Sequence, residues 1–415
     1  MPRLAVRARS DTAGRAQFPD SETIMTEHWL KLAGRRLLPI VQGGMGIGIS
    51  AHRLAGTVAA HNGVGTIASI DLRHHHPDLM AQTGGTRDKA RIEAANLVAL
   101  DREIRSARDL SGGRGLVAVN VMKAVGSHAQ LVRQACESGA DAIVMGAGLP
   151  LDLPELTADY PKVALIPILS EARGIGLVLR KWMKKGRLPD AIVVEHPAHA
   201  GGHLGAPAIQ DLGEARFSFA RVLAECRELF QTLGLAWDSI PLILAGGINS
   251  HAKVRHWLGE GAAAVQLGTA FAVTEECDAH PAFKHVLATA SPEDLCEFTS
   301  VAGLPARAVL TPWLSRYLSS ESRLQRRAKA RDCLEGFDCL HACGLRDGVA
   351  RIGQFCIDLK LAQAVRGDVE RGLFFRGKGA LPFGEAIRPV ADLLHYLLTG
   401  EKPAVVPMPA ATVAA

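Results

Sequence analysis

Three histidines fall within the run His196-Pro197-Ala198-His199-Ala200-Gly201-Gly202-His203. Histidine is the side chain that titrates nearest neutral pH, so it suits proton transfer. Two adjacent glycines bring backbone close to a ligand, and His203 follows them directly. Three histidines in eight residues make this segment a candidate for acid–base chemistry. Metal binding by the trio is the rival reading, but no carboxylate or fourth ligand is near in sequence. His74-His75-His76 also looks metal-like. Three adjacent side chains do not converge easily on one ion, so this run is read as a solvated loop.

Glycine-rich segments supply a second chemistry. Ala245-Gly246-Gly247-Ile248 and Gln266-Leu267-Gly268-Thr269 each follow a short apolar run. Gly246 and Gly247 permit close approach of backbone to an anion, and N–H groups at the start of the next helix can bind it. Gly268 and Thr269 would add an amide and a hydroxyl. The expectation is a phosphate site, belonging either to FMN or to a sugar phosphate; the bland alternative is a pair of tight turns. Gln42-Gly43-Gly44-Met45-Gly46 could support a flat ring, and Asn120 ends a strand otherwise made of Val, Ala and Met. An amide there donates and accepts at once, which suits an isoalloxazine edge.

The third candidate is Cys333, Cys339, Cys343 and Cys356, spaced C-x5-C-x3-C-x12-C. Four thiolates in so short a span could hold zinc or an iron–sulfur cluster. The lack of a C-x2-C pair counts against an ordinary structural zinc, and the spacing differs from common ferredoxin runs. The alternative is four small buried apolar side chains.

These residues need elements to position them. Near-continuous apolar runs recur at 37–42, 63–69, 116–122, 142–146, 164–170, 191–195, 241–246 and 263–268. Such runs are expected of parallel strands buried on both faces. Helix-like stretches lie between them, notably 88–110, 171–185 and 215–233, and 358–365 follows the last cysteine. Strand–helix alternation repeated eight times predicts an α/β fold, a (β/α)₈ TIM barrel. The barrel demands functional residues just past the C-terminal ends of its strands, and the motifs above fall there. The usual G-x-G-x-x-G mark of an open dinucleotide-binding sheet is absent after the first strand.

With 415 residues, the chain has room for more than a barrel. The expected organisation is a disordered lead over 1–24, the barrel over 25–312, a mainly helical Cys-containing C-terminal extension over 313–400, and a disordered tail over 401–415. The lead reads as an upstream start-codon assignment or a disordered arm, with Met25 the alternative start. A net charge of +5 on so long a chain is too weak to argue for nucleic acid. No run is long and apolar enough for a transmembrane helix. The expected setting is cytoplasmic; oligomeric state is not legible.

Taken together, Pro39-Ile40-Val41-Gln42-Gly43-Gly44-Met45-Gly46, Gly146-Ala147-Gly148-Leu149-Pro150, Ala200-Gly201-Gly202-His203, Ala245-Gly246-Gly247-Ile248 and Gln266-Leu267-Gly268-Thr269 resemble the nitronate monooxygenase family, formerly 2-nitropropane dioxygenases. Flavin-dependent enoyl-ACP reductases share the fold and most of these motifs. The resemblance covers roughly 37–312, and the segment after 312 is expected to exceed the family's usual length. It implies FMN held by Asn120, Gly201, Gly247, Gln266, Leu267, Gly268 and Thr269, with His203 catalytic; Gly44, Met45, His196 and Gly246 complete the expected cofactor contacts. It also implies oxidation of alkyl nitronates by O₂ to a carbonyl compound and nitrite. His196 stands where many of these monooxygenases have Gln, and His199 where they have Glu. Two rivals follow: an enoyl-thioester reductase using NAD(P)H, and an electron-transfer protein pairing flavin with an iron–sulfur cluster.

Overall fold

Pro39 interrupts the first apolar run. It lacks the N–H a ladder needs, and the chain splits there. In the computed structural model, which describes residues 28–337 and 339–403, Arg35–Leu37 pairs antiparallel with Leu30–Leu32, and only the part after Pro39 enters the barrel. The single strand expected over 37–42 is thus two strands in two sheets. Expectations for 1–24 and for the tail beyond residue 403 lie outside the described residues.

The barrel strands are β1 (Ile40–Gln42), β2 (Val64–Ala68), β3 (Leu116–Met122), β4 (Ala142–Gly146), β5 (Ala164–Leu169), β6 (Ile192–Glu195), β7 (Leu242–Ala245) and β8 (Ala264–Leu267). Every neighbouring pair is parallel, and β8 pairs with β1 to close the barrel. Alternate residues separate two cores. Val41, Val64, Ala118, Val144, Ile166, Val193, Ile243 and Ala264 fill the barrel, plugged below by Leu30, Leu32 and Leu37 of the hairpin. The other parity, including Ile67, Val119, Ile143, Ile192 and Leu244, meets the surrounding helices. That two-sided burial explains why the strands read as continuous apolar runs.

The helices follow from local signals. Lys89–Ser111 begins where the Asp88 carboxylate accepts the Arg91 N–H at 3.2 Å. It ends at Gly112 in the left-handed region, φ 58°. Ala172–Met183, Phe219–Thr232 and Ile357–Val365 lie where expected.

After β8 the chain folds back over the barrel mouth. Leu295–Thr299 and Pro305–Val309 form an antiparallel hairpin, and Gly202–His203 adds a third strand to it. Beyond residue 312 the chain serves two cores. Leu314, Tyr317, Phe337, Cys339, Phe355 and Ile357 make a small cluster with Phe298. Phe374 and the last helix, Val390–Thr399, pack into the main core around the barrel. No helix among the described residues is long and apolar enough to cross a membrane.

Candidate active site

The C-terminal ends of the strands surround a cavity of about 690 Å³. Gly44, Met45, Asn120, Gly201, His203, Gly246, Gly247, Gln266, Leu267, Gly268 and Thr269 all line it. Residues dispersed from 44 to 269 therefore meet in one place. The first loop crosses the barrel top closely: a Cβ on Gly44 would come 2.4 Å from the Asn120 Cβ. The Gly43 N–H donates to Leu267 O at 2.9 Å, and Met45 N–H donates to Ser50 Oγ at 2.8 Å. Gly246 and Gly247 adopt φ of 108° and 72°, which no β-branched residue holds comfortably.

His196 is not among the residues that line the cavity. Its ring packs on His199, centroids 4.6 Å apart, and edge-on to Phe219. Burial, with His199 beside it, pushes its pKa down to about 4. Strand parity explains the placement. Val193 points into the barrel, so two residues later Glu195 points in and His196 points out. Glu195 was not singled out from sequence, although a carboxylate closing the run Ile192-Val193-Val194-Glu195 was a usable signal. Burial pushes its pKa up to about 7. Asn120, Glu195 and Gln266 line the cavity, and their side chains make no hydrogen bond among the described residues.

His203 is held by long-range pairing. Its strand is in register with Ala306, and its Nε2 lies 2.9 Å from Ser300 Oγ. The ring is partly open to the cavity yet deep within the molecule, and desolvation pushes its pKa down to about 4. At neutral pH it is an uncharged imidazole. Nδ1 has no protein partner among the described residues. Fully buried Arg307 braces the preceding loop by donating to Ala200 O and Pro197 O while pairing with Glu297 at 2.7 Å. Ser300 and Arg307 carry no local sequence signal for these roles.

The segment 375–381 was also missed. A Cβ on Gly201 would meet Gly377 N at 2.4 Å, and Gly377 N–H donates to Thr269 Oγ1 at 3.0 Å. Lys378 N–H donates to His199 O at 3.0 Å. These residues close over the glycine loops after β7 and β8.

Two further expectations can be located. His74, His75 and His76 do not converge, as expected. The run is not a solvated loop, however. His74 faces Asp71, His75 Nε2 bonds Gly48 O at 2.8 Å, and His76 faces buried Glu103 at 3.0 Å. Of the cysteines, Cys339 lines the cavity, and Cys343 and Cys356 pack in the same small apolar cluster. Cys333 donates to Phe337 O at 2.9 Å, and Cys343 Sγ accepts the Arg346 N–H at 3.5 Å. No three of these sulfurs come within 4.8 Å of one another, so they do not form the ligand set of a single ion, although Cys333, Cys343 and Cys356 all lie near enough to Cys339 to act on it electrostatically.

A family model described as nitronate monooxygenase matches residues 33–400. The chain belongs to the nitronate monooxygenase family. The match runs through the segment after 312, so the likeness to the family extends beyond the span that carries the motifs. Among relatives, a "Probable nitronate monooxygenase" of Bacillus subtilis is 32% identical over 30% of this chain and 33% of its own length. A nitronate monooxygenase of Pseudomonas aeruginosa is 27% identical over 63% of this chain and 74% of its own length. The matched segments thus span about a third of the B. subtilis protein and of a Staphylococcus saprophyticus relative. The fold of this family member is shared with FabK from Thermotoga maritima (TM-score 0.58, 21% identity, 89% and 93% of the two chains). It is also shared with a nitroalkane oxidase from Streptomyces ansochromogenes (TM-score 0.57, 20% identity, 87% and 94%).

Proposed function

We propose that this chain is an FMN-dependent oxidoreductase that converts alkyl nitronates to carbonyl compounds and nitrite. The observation that carries the reading is the cavity itself. Three unpartnered polar side chains form its floor, a glycine cradle its walls, and a histidine stands at one side.

The residues present fit FMN. Where Gly44 crosses Asn120 there is no room for a side chain, so the loop lies as a flat strip of backbone. Asn120 and Gln266 offer amide donors and acceptors to a ring edge. The loops after β7 and β8, with Thr269, stand where barrels commonly bind phosphate. When bound, FMN would accept electrons from the substrate and pass them to O₂. Overall, two nitronates and one O₂ give two carbonyl compounds and two nitrites.

The chain's own residues do the rest. Neutral His203 can remove the α-proton of a nitroalkane, and its contact with Ser300 fixes the ring. With a preformed nitronate the same ring orients the anion. That negative charge would favour the protonated form against the burial that otherwise suppresses it. Loop 197–203, braced by Arg307, and segment 375–381 keep water from the reacting face.

Two outcomes test this reading. Heat denaturation should release FMN and not FAD; released FAD would refute the mononucleotide reading. On anaerobic mixing, a nitronate should bleach the flavin quickly. Rapid bleaching by NAD(P)H, with turnover of an enoyl thioester, would make the protein a reductase instead.

Glu195 gives a pH signature. Its raised pKa means the neutral acid is present below pH about 7 and is lost as pH rises through that value. The resulting carboxylate repels an anionic substrate. KM for a nitronate should therefore climb above pH 7, by roughly tenfold per unit once well above it. Glu195→Gln should flatten that limb. An unchanged profile in the variant would remove Glu195 from the site.

A further inference from the structure

Asp358 lines the cavity. With Asp71 and His74 it forms a group in which each residue offers one ligand atom, and these atoms all lie within 4.8 Å of one another. Asp71 is fully buried and sits in left-handed backbone, φ 46°, straight after the second barrel strand. Its carboxylate is already engaged. Arg73 Nε donates to it at 2.6 Å, and His74 Nε2 lies 2.9 Å away without the alignment of a hydrogen bond.

Asp358 is different. It is 2% exposed, lies in the first turn of the helix after Cys356, and neither carboxyl oxygen accepts from an N–H or a hydroxyl; its carboxyl neighbour is Asp71. Both ring nitrogens of His74 are likewise buried without a hydrogen bond. A buried carboxylate without donors is unfavourable, and a second carboxylate beside it makes matters worse. Burial and the adjoining Asp71 and Glu335 push the Asp358 carboxyl well above its usual range, while Arg73 opposes this. The nest therefore holds two carboxyl groups and an imidazole, the donor set of a cation, beside a single guanidinium that Asp71 already engages.

We propose that Asp71, His74 and Asp358 are the ligands of a divalent transition-metal ion. One imidazole nitrogen and two carboxylate oxygens suit zinc and its neighbours in the first row. Bonds of ~2.0–2.2 Å place tetrahedral ligand atoms roughly 3.3–3.6 Å apart, and the atoms here lie within 4.8 Å of one another. Cys339 and Cys356 flank the nest as neighbours of Asp358 and are not assigned as ligands.

The test uses the full-length protein with its flavin, stripped with chelator and titrated anaerobically with Co²⁺. The expected result is one Co²⁺ per chain, with ligand-field bands and no strong thiolate-to-metal charge-transfer band. Asp358→Asn should weaken binding by at least ~100-fold, more than is typical for loss of an outer-shell partner. This variant removes an unpartnered carboxyl, so it should fold; flavin content and circular dichroism check that it does. Cys339→Ser should bind as the wild type does. Failure of the wild type to bind Co²⁺ would overturn the proposal. So would an intense thiolate band lost in Cys339→Ser, or iron with stoichiometric sulfide in protein as purified. Flavin release and nitronate oxidation are read separately, so the proposed function stands or falls on other measurements.

Discussion

Replacing His203 by Asn or Ala is expected to lower turnover of a neutral nitroalkane by ~10²–10⁴-fold while FMN stays bound. The imidazole is placed by backbone pairing with Ala306 and by Ser300, so its removal leaves the glycine cradle intact. With a preformed nitronate the loss should be smaller, because the proton has already gone. The wild-type profile has a definite sign. With a pKa near 4, the neutral base is present above that value and is lost as pH falls through it. kcat/KM for a nitroalkane should therefore be flat from pH 6 to 8 with respect to this group, unlike that of a histidine titrating at its usual value. The comparison to make is kcat/KM on both substrates across pH. Equal, minor losses on both would make His203 structural and pass the role to His199, which also lines the cavity.

Gly247→Val should abolish flavin binding. Two separate penalties act at this position. The backbone has φ 72°, where a β-branched residue is strained by ~1–3 kcal/mol. A Cβ would also lie 2.9 Å from the Cβ and Cγ of His199, so either that loop or the one bearing Gly247 must move. Both line the cavity. Gly234→Val is the matched control: its φ is 69°, but nothing lies within 4 Å of its Cβ position. The control should lose stability and keep its flavin. Flavin absorbance per chain, measured on folded protein, separates the two. If Gly247→Val folds and binds a full complement of FMN, Gly247 does not belong to the phosphate cradle.

The barrel was legible because its signal is local and repeated. Eight strands buried on both faces must each be a short apolar run, and the observed strands fall within the eight expected segments. The cradle was legible for a related reason: Gly44, Gly246 and Gly247 stand directly after β1 and β7, where a barrel puts its ligands. Two of the differences between expectation and structure have simple causes. Pro39 divided a run that looked continuous, and strand parity turned Glu195 inward and His196 outward.

Sequence by itself determined the fold class and the rim on which the candidate site lies, and it singled out His203 as a candidate, since each depends on residues within one strand and its following loop. Tertiary structure alone decided what braces and covers that rim. Ser300 and Arg307 reach the His203 loop across an antiparallel hairpin, and Gly377 closes on Gly201 only because the last segment returns to the main core. Asp358 meets Asp71 and His74 for the same reason. None of these contacts leaves a periodicity or a motif, because they join residues far apart in the chain. Whether a buried carboxylate has a donor is a property of its surroundings in three dimensions.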